Sequence, residues 1–310
     1  QGDRSPWSPY LSFLGEPGRT FPCFFDDDDL DALQSPPLAR ALARRRDAVL
    51  GAARACGLSG QGLLEAYQLV SSRRFKDRRG RFLFPAADLL NHDRDPSCAF
   101  DLRRGGLRVK ALKTIDKGEP LTLCYGTLPN DLLILEMGFV LPENENDRLL
   151  VRPCDLRSSL EAAAAAADSG TTEDFRRWRS EEFRRALPDA EDDLLLLECV
   201  PGRGIFWEEL ALDLCALAAV TSREEAEASP EELRRRRPDL FCDTVAHVAR
   251  GLFDSTLEED TAALSEEGLS DNRRLALEFR VEQKELLELA LEILGEEFLP
   301  ASSAEHSAIG

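Results

Sequence analysis

The stretch Asp88-Leu89-Leu90-Asn91-His92-Asp93-Arg94-Asp95-Pro96 places an amide and an imidazole side by side between two candidate strands. This position predicts a loop. His92 alone is also compatible with a buried imidazole whose hydrogen bonds are satisfied within the core. A metal site would require further ligands at helical or hairpin spacing, which the neighbouring sequence lacks, so we predict no metal here. The Asn-His pair therefore needs a second motif before it indicates a function.

A predicted β-hairpin and a further strand lead from this loop to a tyrosine. Residues 98–102 and 107–112 alternate apolar and polar side chains on either side of a turn, which is the pattern of a hairpin. Residues 121–125 form another candidate strand, which ends at Tyr125 and is followed by Gly126. A tyrosine at a strand end is often a half-buried packing residue, so Tyr125 by itself does not define a site.

Helical patterns flank this strand-rich region on both sides. Apolar spacing predicts helices over 37–56 and 61–71, followed by a strand over 81–85. A short helix is predicted over 130–137, with Gly138 as its C-terminal stop. Beyond residue 150 the sequence is rich in Ala, Leu and Glu, and we expect that part of the chain to be wholly helical.

The charge distribution divides the chain near residue 150. Residues 1–149 carry 21 cationic and 21 anionic side chains, so the whole net charge of −19 lies in residues 150–310. An acidic surface argues against binding to nucleic acid, because phosphate contacts need a cationic face. It permits a basic protein partner, although a role in solubility alone is equally compatible. We also find no apolar run long enough for a membrane-spanning helix, and we expect a monomer.

The eight cysteines include no C-x-x-C or C-x-C pair, which makes a zinc site improbable. In a chain of 310 residues they indicate free thiols in a reducing intracellular compartment, such as the cytoplasm, the nucleus or the chloroplast.

Taken together, the motifs resemble the C-terminal half of a SET domain. The pattern D-x-x-N-H-x-x-x-P at 88–96 is followed by G-E-x-L-x-x-x-Y-G at 118–126 and by Gly138-Phe139. The resemblance is closest to the class named after the Rubisco large-subunit lysine methyltransferase. It extends upstream to Ser72-Arg73-Arg74-Phe75 and downstream to the helical segment 275–284.

This resemblance implies an α+β fold with two domains. Residues 1–149 would be a partial SET β-fold with a helical insert at about 26–72, and its opening strands with a Gly-x-Gly turn would precede Gln1. Residues 150–310 would be an all-α substrate-binding bundle. The segment Pro201-Gly202-Arg203-Gly204 imitates the missing turn, but it stands in the helical half and is interpreted as a loop.

The resemblance also implies an S-adenosylmethionine-dependent protein-lysine N-methyltransferase that acts on a protein substrate, which its acidic half would recruit. Tyr125 matches the catalytic tyrosine of the class. Phe75 would line the substrate channel, where an aromatic residue favours lysine, and Met137 would lie beside it. The cofactor would be bound by a larger set of residues: Arg73, Asp88, Asn91, His92 and Phe139.

Two other interpretations stay open. Met137 stands where many lysine-directed relatives have a tyrosine, and a thioether cannot donate the hydrogen bond of a phenol. Together with the missing opening strands, this motivates a non-catalytic, SET-derived protein-interaction module. A helical scaffold with a small β insert would explain the acidic half, but not the paired Asn-His and Tyr-Gly motifs.

Overall fold

The computed structural model describes residues 5–14, 21–78, 80–103, 105–190 and 192–299, except the side chain of Asp77. The chain divides into two compact units: Gln1–Asp26 with Ala41–Phe139, and Asp27–Arg40 with Val140–Gly310. The domain boundaries inferred from the sequence, 1–149 and 150–310, stay a prediction, and their outermost residues, 1–4 and 300–310, lie outside the described part.

Helices make up most of the described chain and are labelled in chain order. Those before residue 140 are α1 Ser8–Leu14, α2 Asp27–Ala32, α3 Pro36–Cys56, α4 Gly60–Arg73 and α5 Asn130–Met137. Those of the remaining chain are α6 Pro153–Ala166, α7 Glu173–Ala186, α8 Glu209–Ala218, α9 Pro230–Arg236, α10 Pro238–Arg250, α11 Leu257–Leu264 and α12 Asp271–Phe298.

The strands of the first unit form short paired ladders. They are β1 Phe75–Asp77, β2 Gly80–Phe82, β3 Asn91–His92, β4 Cys98–Arg103, β5 Gly106–Ala111 and β6 Thr122–Leu123. The predicted hairpin is confirmed as the antiparallel pair β4–β5. β1 and β2 form a second antiparallel pair, while β3 and β6 run parallel. Long-range parallel pairing is what brings the Asn-His stretch beside the strand that precedes Tyr125.

The second unit corrects the expectation of an all-α bundle. Within its described residues, β7 Arg148–Val151, β8 Leu194–Val200 and β9 Gly204–Trp207 form an antiparallel sheet with β8 in the centre. The run of leucines in β8 has no period that separates a buried strand from a buried helix. The turn Pro201-Gly202-Arg203 resolves the ambiguity, because it reverses the chain and lets β9 pair with β8. This segment is therefore a hairpin turn, in agreement with its interpretation as a loop.

The α+β class is nevertheless confirmed, since helices and strands are both present and the second unit is mainly helical. Its core packs the apolar faces of the helices against β7 and β8, with Leu160, Phe183, Leu197 and Phe241 almost fully buried. All eight cysteines are free thiols.

Candidate active site

Parallel pairing of β3 with β6 brings the two sequence motifs together. The register aligns Asn91 with Thr122 and His92 with Leu123. Two residues further on, the backbone N–H of Tyr125 donates to Nδ1 of His92 at 3.1 Å. The centroids of these two rings lie 5.3 Å apart. The loop that carries Asn-His and the segment that carries Tyr125 therefore meet at one place.

The phenol of Tyr125 is held by the same loop. Its hydroxyl donates to the carbonyl oxygen of Leu90 at 2.6 Å. Burial raises the pKa of Tyr125, and the carboxylate of Asp88 raises it too, while Arg73 opposes both. The phenol is therefore protonated at neutral pH, and its oxygen keeps lone pairs that can accept weak contacts.

His92 is neutral at physiological pH in this setting. Burial lowers its pKa, although the carboxylate of Asp93 acts in the opposite direction. The contact from Tyr125 also requires an unprotonated Nδ1. The neutral imidazole thus holds the backbone of Tyr125 in place.

The end of α5 brings Phe139 to the same place. Gly138 adopts a φ of 79° and caps the helix in the left-handed conformation. A Cβ at this position would lie 2.8 Å from Cδ1 of Phe21, so the close approach of that ring also requires glycine. The Phe139 ring is consequently 6.0 Å from His92 and 6.5 Å from Tyr125, measured between centroids.

A cavity of about 440 Å³ lies over these rings. Every residue that the sequence resemblance assigned to cofactor binding lines this cavity, and Asn91 is the exposed one among them. Phe21 also lines this cavity, and we did not expect it there because it stands in an irregular aromatic segment. The lining residues are Phe21, Ser72, Arg73, Asp88, Leu89, Asn91, His92, Tyr125, Met137 and Phe139.

A second cavity, of about 360 Å³, has an aromatic wall. Phe75 lines it, and the Phe75 ring packs edge-on against Phe100 at 5.1 Å and against Phe84 at 5.6 Å. Phe100 lines it as well, with 39% of its surface exposed. The sequence analysis missed Phe100 because alternation in β4 predicted only the hairpin, not which face of the strand meets a cavity.

The two cavities share part of their lining. Tyr125 and Met137 line both of them. The full shared set is Ser72, Arg73, Asp88, Tyr125 and Met137.

Two buried polar atoms at this junction lack a partner among the described residues. Arg73 donates from Nη1 to the Asp88 carbonyl oxygen at 3.1 Å, but its Nε–H is unsatisfied. Oδ2 of Asp88 accepts the hydroxyl of Tyr10, while Oδ1 is unsatisfied. Burial and the hydrogen bond to Asp88 raise the pKa of Tyr10 to about 12. Unpaired buried donors and acceptors are costly, so this pair is suited to a polar ligand that supplies both missing partners.

An ion-pair network that the sequence did not predict borders the second cavity, where Glu136 and Arg74 are lining residues. The Glu136 carboxylate bridges Arg45 at 2.8 Å and Arg74 at 2.6 Å. Burial alone would raise the pKa of Glu136, but the two guanidinium groups outweigh it and hold that pKa below its ordinary value. Because Glu136 precedes Met137 and Arg74 precedes Phe75, the network fixes two residues of the aromatic cavity.

Comparison with known proteins agrees with this geometry. Residues 9–126 match the family model described as the SET domain. The fold is similar to "Structure of Rubisco LSMT bound to AdoMet", with a TM-score of 0.54, 16% identity, and coverage of 94% of this chain and 71% of that chain. It is also similar to "Crystal structure of the SET domain of LSMT bound to Lysine and AdoHcy", with a TM-score of 0.55, 17% identity, and coverage of 95% and 72%. Residues 9–126 therefore match the SET domain, and the chain has the fold of the Rubisco LSMT structures, as the motifs led us to expect.

Two curated relatives are similar over shorter stretches. N-lysine methyltransferase SETD6 of Bos taurus is 27% identical over 235 residues, which cover 66% of this chain and 49% of that protein. Ribosomal lysine N-methyltransferase set11 of Schizosaccharomyces pombe is 41% identical over 64 residues, or 21% of this chain and 17% of that protein. The chain thus spans about half of SETD6 and a smaller share of set11.

The described residues offer neither a metal-binding cluster nor a membrane-spanning helix. No group of three or more His, Cys, Asp or Glu side chains there could hold a metal ion. No helix in the same residues is both long and apolar enough to cross a bilayer.

Proposed function

We propose that the protein is an S-adenosylmethionine-dependent protein-lysine N-methyltransferase. The observation that carries the proposal is the position of Tyr125, which faces both cavities. One of them is lined by polar and aromatic groups that match the cofactor-binding set of the class, and the other has an aromatic wall. A reaction between two bound molecules needs such a junction.

The residues of the first cavity fit the cofactor. Its volume of about 440 Å³ is in the range of small-molecule sites. The unsatisfied Nε–H of Arg73 suits the methionine carboxylate, and the unsatisfied Oδ1 of Asp88 suits an N–H or O–H donor. Asn91, His92 and Phe139 complete the wall. S-adenosylmethionine, when bound, supplies an electrophilic methyl group on a sulfonium.

The second cavity suits the attacking amine. A lysine has a pKa of about 10.4 in water and must lose its proton before it can attack. An apolar wall disfavours the ammonium form and so lowers the pKa of an amine held within it. Phe75 and Phe100 provide that wall, and Met137 adds a polarizable apolar surface.

Tyr125 acts by orientation and not as a base. Its phenol is protonated, and its hydroxyl is anchored to the carbonyl of Leu90. The oxygen can therefore accept weak C–H···O contacts of about 0.5–1 kcal/mol each from a polarised methyl group. Alignment of two bound reactants supplies most of the acceleration, up to roughly 7–11 kcal/mol in well-oriented cases.

The relatives support this assignment by their names alone. SETD6 and set11 are both named as lysine methyltransferases. The titles of the similar structures name AdoMet in one case, and lysine with AdoHcy in the other. For this chain, the substrate is proposed to be a lysine of a basic protein.

The alternative is a SET-derived protein-interaction module without catalysis. Met137 favours it, because a thioether at the junction offers no hydroxyl beside Tyr125. Calorimetric titration with S-adenosylmethionine separates the two functions. Binding that is lost in Arg73→Ala supports the enzyme, and no binding to the protein expressed from its complete natural reading frame supports the module.

The direct test is transfer of a labelled methyl group to protein from a cell extract. The same full-length protein should label a protein band, and Tyr125→Phe should remove most of the label. Tyr67→Phe is the matched control, because Tyr67 lies on α4 outside both cavities. If Tyr125→Phe labels as strongly as the parent protein, Tyr125 does not have the proposed role.

A further inference from the structure

A third cavity, of about 340 Å³, lies wholly within the second unit. Three elements enclose it: one face of α12, the loop that precedes β7, and the turn between β8 and β9. The helix contributes residues at positions 282, 285, 286 and 289, which share one face because they are spaced by three or four. None of these residues belongs to the site described above.

The wall of this cavity combines an apolar floor with acidic groups. Leu286, Leu289, Val200 and Ile205 supply apolar surface. Five carboxylates line it: Glu143, Glu145, Asp147, Glu282 and Glu285. Among the described lining residues there is no lysine, arginine or histidine. The cavity therefore presents apolar surface and carboxylates, with no cationic side chain among its described lining residues, to one occupant.

The acidic loop is held in place by the helix. Glu143 has a φ of 50°, an unusual conformation for a residue with a side chain. Its backbone N–H donates to Oε2 of Glu282 at 2.7 Å. Asp147 accepts a hydrogen bond from Gln283 at 3.0 Å. Two neighbouring residues of α12 thus fix both ends of the loop, so the carboxylates are positioned before anything binds.

We propose that this cavity docks a lysine or arginine side chain from a basic segment of the protein substrate. The inference rests on the proposed function, and it adds a substrate-docking site on the second unit. A lysine or arginine side chain has an aliphatic stem and a cationic end. The stem matches Leu286 and Leu289, and the cationic end matches the carboxylates.

A bare metal ion fits these residues less well. The described residues contain no group arranged to hold one. A hydrated divalent cation also gains nothing from an apolar floor, since such ions prefer oxygen ligands.

The protonation of Glu282 should make docking depend on pH. The pKa of Glu282 is raised to about 7, chiefly by burial and also by the carboxylates of Glu285, Asp147 and Glu143, while the backbone N–H of Glu143 opposes the shift. The other titratable groups of the wall are Glu145 and Cys199, whose thiol has a pKa raised by burial to about 11. A bound cation favours the ionised carboxylate, so binding should release protons near pH 7 and be tighter above it.

The test is fluorescence anisotropy with a labelled arginine- and lysine-rich peptide and the full-length protein, without cofactor. Glu285→Lys places a cation on the exposed rim of the cavity and should weaken binding by about tenfold or more. Glu267→Lys is the matched control, because it makes the same change in net charge on an exposed residue outside the cavity. We expect the control to stay within about twofold of the parent, as for an isolated surface charge.

Equal weakening by the two variants would mean that the peptide senses only the overall acidic charge, and would overturn the docking site. Calcium titration is a further arm: heat that disappears in Glu285→Lys but not in Glu267→Lys would assign the cavity to a metal instead. Leu289→Ala removes part of the apolar floor without changing the charge, and it should also weaken binding of the peptide. No effect of Leu289→Ala would overturn insertion of the stem.

The outcome is separable from the proposed function. Tyr125→Phe should bind the peptide as the parent does, while it loses methyl transfer. If Glu285→Lys selectively loses peptide binding and the parent protein never transfers a methyl group, docking would be supported and the enzymatic function would be overturned. If the parent protein transfers methyl groups but Glu285→Lys and Glu267→Lys bind the peptide equally well, the docking site alone would be overturned.

Discussion

The backbone N–H of Tyr125 donates to Nδ1 of His92 at 3.1 Å, which joins the two motifs on which the function depends. The residue pair is separated by 33 positions in the chain. Parallel pairing of β3 with β6 therefore determines where the phenol lies, and the imidazole fixes the last step of that placement.

Replacing His92 should misplace Tyr125 in a protein that still folds. His92→Ala leaves the Tyr125 N–H without its partner, which we expect to cost about 1–3 kcal/mol of stability if no water replaces it. A misplacement of the phenol by about 1 Å would lower the transfer rate by roughly a hundredfold. Labelled methyl transfer and urea denaturation measure the two effects. A variant with parental activity would show that the hydrogen bond does not position Tyr125.

Gly138→Ala should destabilise the protein for two separate reasons. The residue would be held at a φ of 79°, and its Cβ would lie 2.8 Å from the Phe21 ring. We expect a loss of about 1–3 kcal/mol from the backbone alone, with the collision in addition. Gly118→Ala is the control, since Gly118 has a φ of 98° but open space around its Cβ. Urea denaturation should show a larger loss for Gly138→Ala, and Phe21→Leu in the same chain should recover part of it. Equal losses for the two alanine variants would exclude a collision.

In a buried charge cluster of the second unit, removing the anion should cost more stability than removing one of the cations. Asp260, which is 1% exposed, accepts hydrogen bonds from both Arg280 and Lys284, themselves 5% and 3% exposed. Burial alone would raise the pKa of Asp260, but its hydrogen-bond donors hold that pKa below its ordinary value; burial lowers the pKa of Lys284. Asp260→Asn should cost about 3–5 kcal/mol, because it leaves two buried cations without their carboxylate.

Lys284→Met should be far milder than Asp260→Asn. It removes one of two cations that share a single carboxylate, and a thioether side chain can fill the same space. We expect unchanged or slightly increased stability in thermal denaturation at neutral pH. A loss as large as that of Asp260→Asn would mean that the Lys284 contact itself is a main support of this region.

Glu282 predicts how stability changes with pH. Its pKa in the folded protein is about 7, above the ordinary value of 4.5, so the folded protein binds its proton more tightly than the unfolded chain does. The corresponding stabilisation is fully present below pH 4.5 and is lost as pH rises through about 7. Glu282→Gln cannot ionise, so the free energy of unfolding should fall less over this window. Parallel pH profiles for the parent and the variant would contradict the raised pKa.

Much of the first unit could be predicted from the sequence, because its signals are local. Alternation on both sides of a turn gave the β4–β5 hairpin, and Gly138 gave the end of α5. The SET fold was expected from the resemblance of the Asn-His and Tyr-Gly motifs to those of that family. The assigned roles of the individual site residues stay predictions, although the structure does bring those residues together around two adjoining cavities.

The features that were missed depend on long-range contacts. The bridge from Glu136 to Arg45 joins residues 91 positions apart, and neither residue stands out from its neighbours in the sequence. Phe21 and Phe100 are ordinary aromatic residues until the fold places them on cavity walls. The all-helical expectation for the second half failed at β8, because leucine favours helices when no partner strand is considered.

That same strand has a consequence for handling the protein. Leu194–Leu197 are four consecutive leucines, and β7 pairs with this stretch at Leu194, Leu195 and Leu197. Once β7 detaches, an apolar, uncharged edge is free to pair with the same segment of another molecule. We therefore expect thermal melting of the second unit to end in aggregation rather than in recovery, and refolding yields to fall as protein concentration rises.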